Sequence, residues 1–144
     1  MGDFFEISEV AFGMKRMFQG NGEHILLVDD ASLVENEKQL IEQLGYRVTA
    51  CICSTEALTL VHAASEKIDC VISNLVMPRI GGLQLANTCR LCRPGTPFFL
   101  MSDDASRAQV DSSLRHTISD FISKPLSARV LAEALHRALA CRKA

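Results

Sequence analysis

The chain has 144 residues, of which 48% are hydrophobic and 22% are charged, and its formal net charge is −2 at pH 7. This composition is typical of one globular domain with an apolar core. The near balance of 15 basic and 17 acidic residues excludes a domain that binds nucleic acid mainly through positive charge. No apolar run reaches the roughly 18 residues of a membrane span, and no basic, apolar leader begins the chain. We therefore expect a cytoplasmic protein that binds neither a membrane nor nucleic acid directly.

From residue 24 onward, five short apolar runs alternate with segments of helical spacing. The runs predicted as strands are His24–Val28, Tyr46–Cys51, Cys70–Asn74, Phe98–Ser102 and Phe121–Ser123. The helices are predicted over 33–44, 54–61, 83–93, 105–114 and 128–138, with Gly45 closing the first and with Ser54 and Ser127 capping the second and the last. Five such units predict an α/β fold with a doubly wound parallel sheet.

Polar side chains lie at the carboxyl ends of four of these otherwise apolar strands. Asp29 and Asp30 follow the first strand, Asn74 ends the third, Ser102 ends the fourth and Lys124 follows the fifth. Ligand sites of doubly wound sheets lie at this edge, so the convergence predicts a functional site. An acidic pair would also suit the N-terminus of a helix, but its register with Ser102 and Lys124 favours the site.

These residues resemble the receiver domain of two-component response regulators, from His24 to about Cys141. The resemblance rests on the acidic pair, on the segment VISNLVMPRIGGLQL around Asn74, on Ser102, and on Lys124-Pro125. It implies a flavodoxin-like (βα)5 fold with strand order 2-1-3-4-5. It divides the chain into an N-terminal extension, residues 1–23, and a receiver domain, residues 24–144.

The resemblance also implies roles for the residues at the strand ends. In the family, Mg²⁺ is held at the positions of Asp29, Asp30, Asn74 and the backbone carbonyl of Val76. An aspartate at the position of Asn74 accepts a phosphoryl group from a histidine kinase or a phosphotransfer protein. Ser102 and Lys124 would bind the phosphoryl oxygens, and Ser102 and Phe121 would be the residues that move on activation. A short central strand also needs apolar bulk, so Phe121 as a core residue is the alternative.

Asn74 departs from the family at the acceptor position. Its amide oxygen is neutral and its nitrogen lone pair is delocalised, so neither atom is a useful nucleophile. The metal site keeps two carboxylates instead of three, so we expect Mg²⁺ binding to be weak or absent. We therefore expect no enzymatic activity, because the phosphoryl transfer that the family catalyses is impaired. Asp103, directly after Ser102, adds a further negative charge beside the phosphoryl position.

The same substitution suggests a structural benefit. Two like charges 4 Å apart repel by about 4 kcal/mol at an effective dielectric of about 20. An amide at position 74 removes part of the repulsion among three carboxylates and supplies a hydrogen-bond donor. We therefore hypothesise that Asn74 stabilises the metal-free fold.

The chain ends at Ala144, soon after the last predicted helix, and we expect a receiver that lacks an output domain. It would act as a protein-interaction module in phosphorelay signalling, through the surface of the fourth helix, the fifth strand and the last helix. That surface is also a candidate homodimer contact. The alternative is a phosphorylatable receiver, stand-alone or from a hybrid sensor kinase, whose acceptor Asp was mutated to Asn. Transfer of the acceptor role to Ser73 is disfavoured, because alternate residues of a strand face opposite sides.

Residues 1–23 allow two interpretations. Apolar residues between Phe4 and Phe18 recur at helical spacing, and Gln19–Gly22 is predicted to be a hinge. The segment would either contact a partner or a second copy of the chain, or it would be the remnant of an upstream domain.

The six cysteines and four histidines carry no predicted chemistry. Cys51 and Cys53 end a strand at the predicted site, whereas Cys89 and Cys92 end a helix that travels about 15 Å away from it. The two pairs therefore do not share a zinc ion, and we interpret the cysteines as reduced packing residues. The histidines are interpreted as non-catalytic, since none pairs with a nucleophile along the sequence.

Overall fold

The computed structural model describes residues 19–63, 67–103, 110 and 116–143, with the side chains of 141–143 excepted. The predicted helix over 105–114, the apolar pattern of residues 4–18 and the side chain of Cys141 lie outside these residues. In the part of the chain that is described, no helix is long and apolar enough to cross a membrane.

Five parallel strands form one sheet in the order β2-β1-β3-β4-β5, as predicted. They are β1 (His24–Val28), β2 (Arg47–Cys51), β3 (Cys70–Asn74), β4 (Phe98–Ser102) and β5 (Asp120–Ser123). The polar residues predicted at the carboxyl ends of β1, β3, β4 and β5 therefore lie at one edge of the sheet, the rim, because the carboxyl ends of parallel strands point the same way.

The described helices are α1 (Ala31–Gln43), α2 (Ser54–His62), α3 (Gly82–Cys92) and α4 (Ala128–Lys143). Gly45 follows the end of α1 with φ +98°, a left-handed conformation that favours glycine. Ser127 accepts a hydrogen bond from the backbone N–H of Val130 (3.4 Å) at the start of α4, as its predicted capping role requires. The predicted cap at Ser54 is wrong: Cys53 holds the N-cap position, and the Ser54 hydroxyl donates to the carbonyl of Pro78.

The apolar core has two layers, one on each face of the sheet. Ile25 and Leu27 of β1 face α1 and α4, whereas Leu26 and Val28 face α2 and α3. Both sets are fully buried, which explains why the β1 sequence shows no polar alternation.

The segment Gln19–Gly22, predicted to be a hinge, is instead hydrogen-bonded to the rest of the domain. The backbone N–H of Gly20 donates to Leu44 O, and that of Gly22 donates to Gly45 O, both at 2.8 Å. The Arg47 Nε donates to Gly22 O at 2.9 Å. A side chain at Gly20 would collide with the ring of Tyr46, so the glycine permits close packing here rather than motion.

Gly82 begins α3 directly against the end of β3. A Cβ at this position would lie 2.5 Å from the Asn74 carbonyl oxygen and 2.5 Å from a methyl carbon of Leu100. We expect Gly82→Ala to lower the free energy of unfolding by about 1–3 kcal/mol, because backbone and core must shift to admit the methyl group. Urea denaturation measures this change. Gly95→Ala is the matched control, since a Cβ there meets nothing within 4 Å; an equal loss in both variants would contradict the packing argument.

Candidate functional site

Three of the predicted rim side chains meet at the carboxyl edge of the sheet. The Lys124 Nζ donates to Asp29 Oδ2 at 2.8 Å and to Asn74 Oδ1 at 3.3 Å. Asp29 is fully buried, and the Lys124 side chain is 19% exposed. Hydrogen bonds thus join side chains from the end of β1, the end of β3 and the segment after β5. Within this group, the positive charge of Lys124 is paired with the negative charge of Asp29.

The amide of Asn74 accepts one hydrogen bond and donates another, whereas an ionised carboxylate can only accept. Its oxygen accepts from Lys124, and its Nδ2 donates to the backbone carbonyl of Val76 at 2.8 Å. An aspartate in the same orientation would place a second oxygen against that carbonyl oxygen. The amide therefore satisfies both Lys124 and Val76 without any further group in the site.

The two adjacent aspartates have separate environments. Asp29 points into the site and also accepts from the backbone N–H of Asp30 at 2.7 Å. Asp30 is the N-cap of α1, and its carboxylate accepts from both the hydroxyl and the backbone N–H of Ser32. The hydrogen bonds from Ser32 lower the pKa of Asp30 below its ordinary value. The N-cap interpretation of the acidic pair thus describes Asp30, whereas Asp29 joins Asn74 and Lys124.

Ser102 and Phe121 lie on neighbouring strands but in different surroundings. Ser102 ends β4, is buried and lines the same cleft as Asn74 and Lys124, and its buried Oγ has no hydrogen-bond partner among the described residues. Phe121 is buried in the core layer on the α2 and α3 side. Ser73 is fully buried, and its hydroxyl donates to the backbone carbonyl of Asn74 at 3.0 Å.

Glu37 is the site residue that sequence reasoning missed. It lies on the buried face of α1, is only 8% exposed, and lies next to Asp29. Burial above all, together with a hydrogen bond with Asp29 and the charge of Asp29, raises the pKa of Glu37 to about 8, against the opposing charge of Lys124. The sequence offers one sign of this role: Glu37 is a charged residue at helical spacing from the apolar residues Leu33 and Leu40 of the first predicted helix.

Glu37 makes the stability of the domain depend on pH. Between the ordinary pKa of 4.5 and the raised value of about 8, the folded chain keeps a proton on Glu37 that the unfolded chain releases. The free energy of unfolding should therefore fall as the pH rises from about 4.5 to about 8. Glu37→Gln should remove most of this fall, so that the variant gains stability relative to the parent at the higher pH.

Thermal denaturation at several pH values between these limits measures the effect. Glu35→Gln, on the exposed side of α1, serves as the control and should keep the pH dependence of the parent chain. If Glu37→Gln shows the same pH dependence as Glu35→Gln, Glu37 does not hold its proton in the folded state.

A cleft of about 610 Å³ opens over this group of side chains. It is lined by Leu33, Asn36, Glu37, Leu40, Asn74, Leu75, Val76, Ser102, Asp103, Lys124, Pro125 and Leu126. The polar residues of the site thus lie in a cleft whose other walls are largely apolar.

The oxygen atoms expected to bind Mg²⁺ are engaged by other partners. Asp29 is paired with Lys124, Asp30 accepts from Ser32, and the Val76 carbonyl accepts from Asn74. Among the described residues, no three His, Cys, Asp or Glu side chains are grouped to hold a metal ion. A hard cation prefers several charged oxygens, and this arrangement does not offer them. Among the described residues, these oxygens therefore do not form a ready-made cluster of charged donors.

Two features of the cysteines and histidines differ from the expectation. Cys51, Cys70 and Cys89 are buried, but Cys92 is exposed, and all described cysteines are free thiols. The Cys92 Sγ lies 3.3 Å from the Nδ1 of His62. No sign of this contact appears in the sequence, because the packing of α2 beside α3 brings together residues that are 30 positions apart.

Comparison with known proteins agrees with this geometry. The sequence profile of the family described as "Response regulator receiver domain" matches residues 25–136. The chain is 32% identical over 108 residues to "Two-component response regulator ARR14" of Arabidopsis thaliana, a match that covers 74% of this chain and 28% of that protein. The chain thus spans less than a third of the length of this relative.

Two solved structures share the fold. A receiver domain protein from Clostridium thermocellum superposes with a TM-score of 0.77 at 23% identity, covering 84% of this chain and 97% of that one. The receiver domain of a sensor histidine kinase from Pseudomonas aeruginosa PAO1, solved with a magnesium ion coordinated in its active site cleft, gives a TM-score of 0.73 at 21% identity. That match covers 83% of this chain and 98% of the other. With the strand order, the rim residues and the profile match in agreement, the chain belongs to the response regulator receiver domain family.

Proposed function

We propose that this receiver domain is a protein-interaction module of phosphorelay signalling that does not accept a phosphoryl group and is not an enzyme. The observation that carries the proposal is the double engagement of the Asn74 amide, with Lys124 on one side and the Val76 carbonyl on the other. Both polar atoms of the side chain at the acceptor position already have partners within the chain.

The chemistry of phosphoryl acceptance supports this reading. An acyl phosphate forms when an anionic carboxylate oxygen attacks phosphorus and the donor leaves with the bonding electrons. The Asn74 side-chain oxygen is neutral and accepts a hydrogen bond from Lys124, and the side-chain nitrogen donates a hydrogen bond to the Val76 carbonyl. The nearby Ser73 hydroxyl is fully buried and bonded to the Asn74 carbonyl, so it does not replace the missing acid.

The engagement of the oxygens expected to bind Mg²⁺ points the same way. With Asp29, Asp30 and the Val76 carbonyl all engaged inside the chain, we propose that Mg²⁺ binds weakly or not at all. The domain would then keep one conformation instead of switching between two, and its partners would recognise that conformation.

Receiver domains act with histidine kinases or phosphotransfer proteins, and we propose a partner of this class. Three large apolar side chains are exposed on α1 and after the carboxyl ends of β2 and β3: Leu33, Ile52 and Val76, at 42%, 57% and 67%. Exposed apolar groups around a polar site are typical of protein contacts. The described part of the partner surface predicted from the sequence, β5 with α4, exposes Val130 to 49%, and a homodimer through it stays a proposal.

A second candidate function is a phosphorylatable receiver that has lost only its acceptor carboxylate. Lys124 and Ser102, the expected phosphoryl ligands, both line the cleft beside Asn74, which favours a site otherwise ready for the reaction. The two candidates differ in the role of the chain as it stands: an interaction module that works without phosphorylation, or a phosphorylatable receiver whose acceptor Asp was mutated to Asn.

Intact mass after incubation with acetyl phosphate and Mg²⁺ tests the main proposal. The parent chain should gain no phosphoryl group at any incubation time. A gain of one phosphoryl group that maps to this site would overturn the proposal.

A further inference from the structure

A thiol and an imidazole meet at the surface where α2 and α3 end. The Cys92 Sγ lies 3.3 Å from the Nδ1 of His62, which is within hydrogen-bond distance for a sulfur atom. Both residues are exposed. Because α2 and α3 begin at the rim and run away from it, this pair lies towards the opposite edge of the sheet. The proposed function does not use it.

Arg93 holds the two helix ends together. Its Nε donates to Val61 O at 2.8 Å, and its Nη2 donates to Ala63 O at 2.6 Å. These carbonyls belong to the residues on either side of His62, and Arg93 itself directly follows Cys92. Hydrogen bonds from an ionised donor are among the stronger ones. The thiol and the imidazole are therefore carried by two backbone segments that are bonded to each other.

The pair combines the two groups that thiol chemistry requires. The thiolate is the nucleophilic form of cysteine, and only a few per cent of an ordinary thiol is ionised at pH 7. A base within hydrogen-bond reach activates the thiol by taking its proton. In the neutral tautomer that carries its hydrogen on Nε2, the Nδ1 of His62 accepts the hydrogen of the Cys92 thiol. Because both residues are exposed, a small molecule in solution reaches the sulfur.

The other cysteines whose side chains the structure describes lack this combination. Cys51, Cys70 and Cys89 are buried. Burial raises the pKa of Cys51 and of Cys89 to about 11, so these two thiols stay protonated at neutral pH. Cys53 is partly exposed, and its thiol contacts the hydroxyl of Thr55 at 2.7 Å instead of an imidazole. Cys53 is therefore a second accessible thiol whose reactivity does not depend on a histidine.

We propose that Cys92 is a site of reversible modification by low-molecular-weight disulfides, with His62 as the base. The thiol proton moves to His62 Nδ1, and the Cys92 sulfur attacks one sulfur of the disulfide. The S–S bond of that molecule breaks, its electron pair leaves on the other sulfur, and the thiolate so formed takes up the proton that the imidazolium releases. The products are a mixed disulfide at Cys92 and one free thiol, so the exchange balances without a further oxidant.

Reaction of the full chain with glutathione disulfide at pH 7 tests the role of His62. Peptide mapping by mass spectrometry follows the glutathionyl group at each cysteine separately, so Cys53 is an internal reference in every sample. His62→Gln keeps a polar side chain but takes up no proton. It should slow the reaction at Cys92 at least about threefold and leave the rate at Cys53 unchanged. His136→Gln, at another exposed histidine, is the matched control and should change neither rate.

An equal rate at Cys92 in the parent chain and in folded His62→Gln would overturn the proposal, and so would a Cys92 adduct that dithiothreitol does not remove. A second measurement needs no variant. Unfolding in urea separates Cys92 from His62, so Cys92 should react at least about threefold more slowly in the unfolded chain than in the folded chain at the same pH. An equal or faster reaction in urea would show that the fold does not activate this thiol.

Discussion

Asn74→Asp is expected to gain the mass of one phosphoryl group after incubation with acetyl phosphate and Mg²⁺. The substitution supplies an anionic oxygen where the amide oxygen lies, 3.3 Å from the Lys124 ammonium. Lys124 and Ser102 both line this cleft, and we expect them to stabilise the charge of the transferred group. Intact mass spectrometry, followed by peptide mapping to position 74, measures the result.

Asn74→Gln is the matched control, because it lengthens the side chain but leaves it neutral. It should gain no mass under the same conditions. If Asn74→Asp also gains none while remaining folded, the rim residues lack the arrangement for phosphoryl chemistry, and the second candidate function is excluded.

Lys124→Met is expected to lower the free energy of unfolding by about 3–5 kcal/mol, the usual cost of breaking a buried ion pair by removing one partner. Asp29 is fully buried and would lose the ammonium that lies 2.8 Å from its Oδ2. Asn74 would lose the donor to its amide oxygen in the same step. Chemical denaturation at neutral pH measures the loss.

Lys67→Met is the control for removing a lysine from this chain. The Lys67 Nζ lies 3.9 Å from a carboxylate oxygen of Asp69, and the Lys67 side chain is 79% exposed. An exposed pair of this kind is worth less than about 1 kcal/mol. Similar losses in the two variants would show that Lys124 does not neutralise a buried charge.

The strands were predictable because their local signal is strong. Each is a short apolar run bounded by polar, glycine or proline residues, and β1, β3 and β4 begin and end where the sequence indicated. The strand order could not be predicted from these local patterns, because a short apolar run does not specify which strands it pairs with. It followed from the family resemblance.

The position of the site could be predicted from the sequence, but the contacts that each residue makes within it could not. The parallel arrangement of the strands brings Asp29, Asn74 and Lys124 to one edge of the sheet, independently of the conformations of their side chains. Which of two adjacent acids caps α1 depends on the path of the backbone after β1, so the sequence left Asp29 and Asp30 alike. The bond from the Asn74 amide to Val76 likewise depends on the turn after β3.

Contacts between distant segments account for the features that the sequence did not reveal. His62 and Cys92 approach each other only because α2 packs beside α3. The glycine-rich stretch from Gln19 to Gly22 looks like a hinge, yet Gly20 is needed because the Tyr46 ring occupies the space of a side chain. Glycine serves flexibility and close packing equally well, and sequence alone does not distinguish the two uses.

The melting temperature in the presence of a chelator tests most directly whether the Asn74 amide stabilises the metal-free site. Compared with the parent chain, Asn74→Asp should melt at least about 3 °C lower, the shift that roughly 1 kcal/mol causes in a domain of this size. The carboxylate would repel Asp29 and set an oxygen against the Val76 carbonyl, which now accepts at 2.8 Å. Millimolar Mg²⁺ should raise the melting temperature of Asn74→Asp and leave the parent unchanged. An aspartate variant that melts at the same or a higher temperature in chelator would contradict the account.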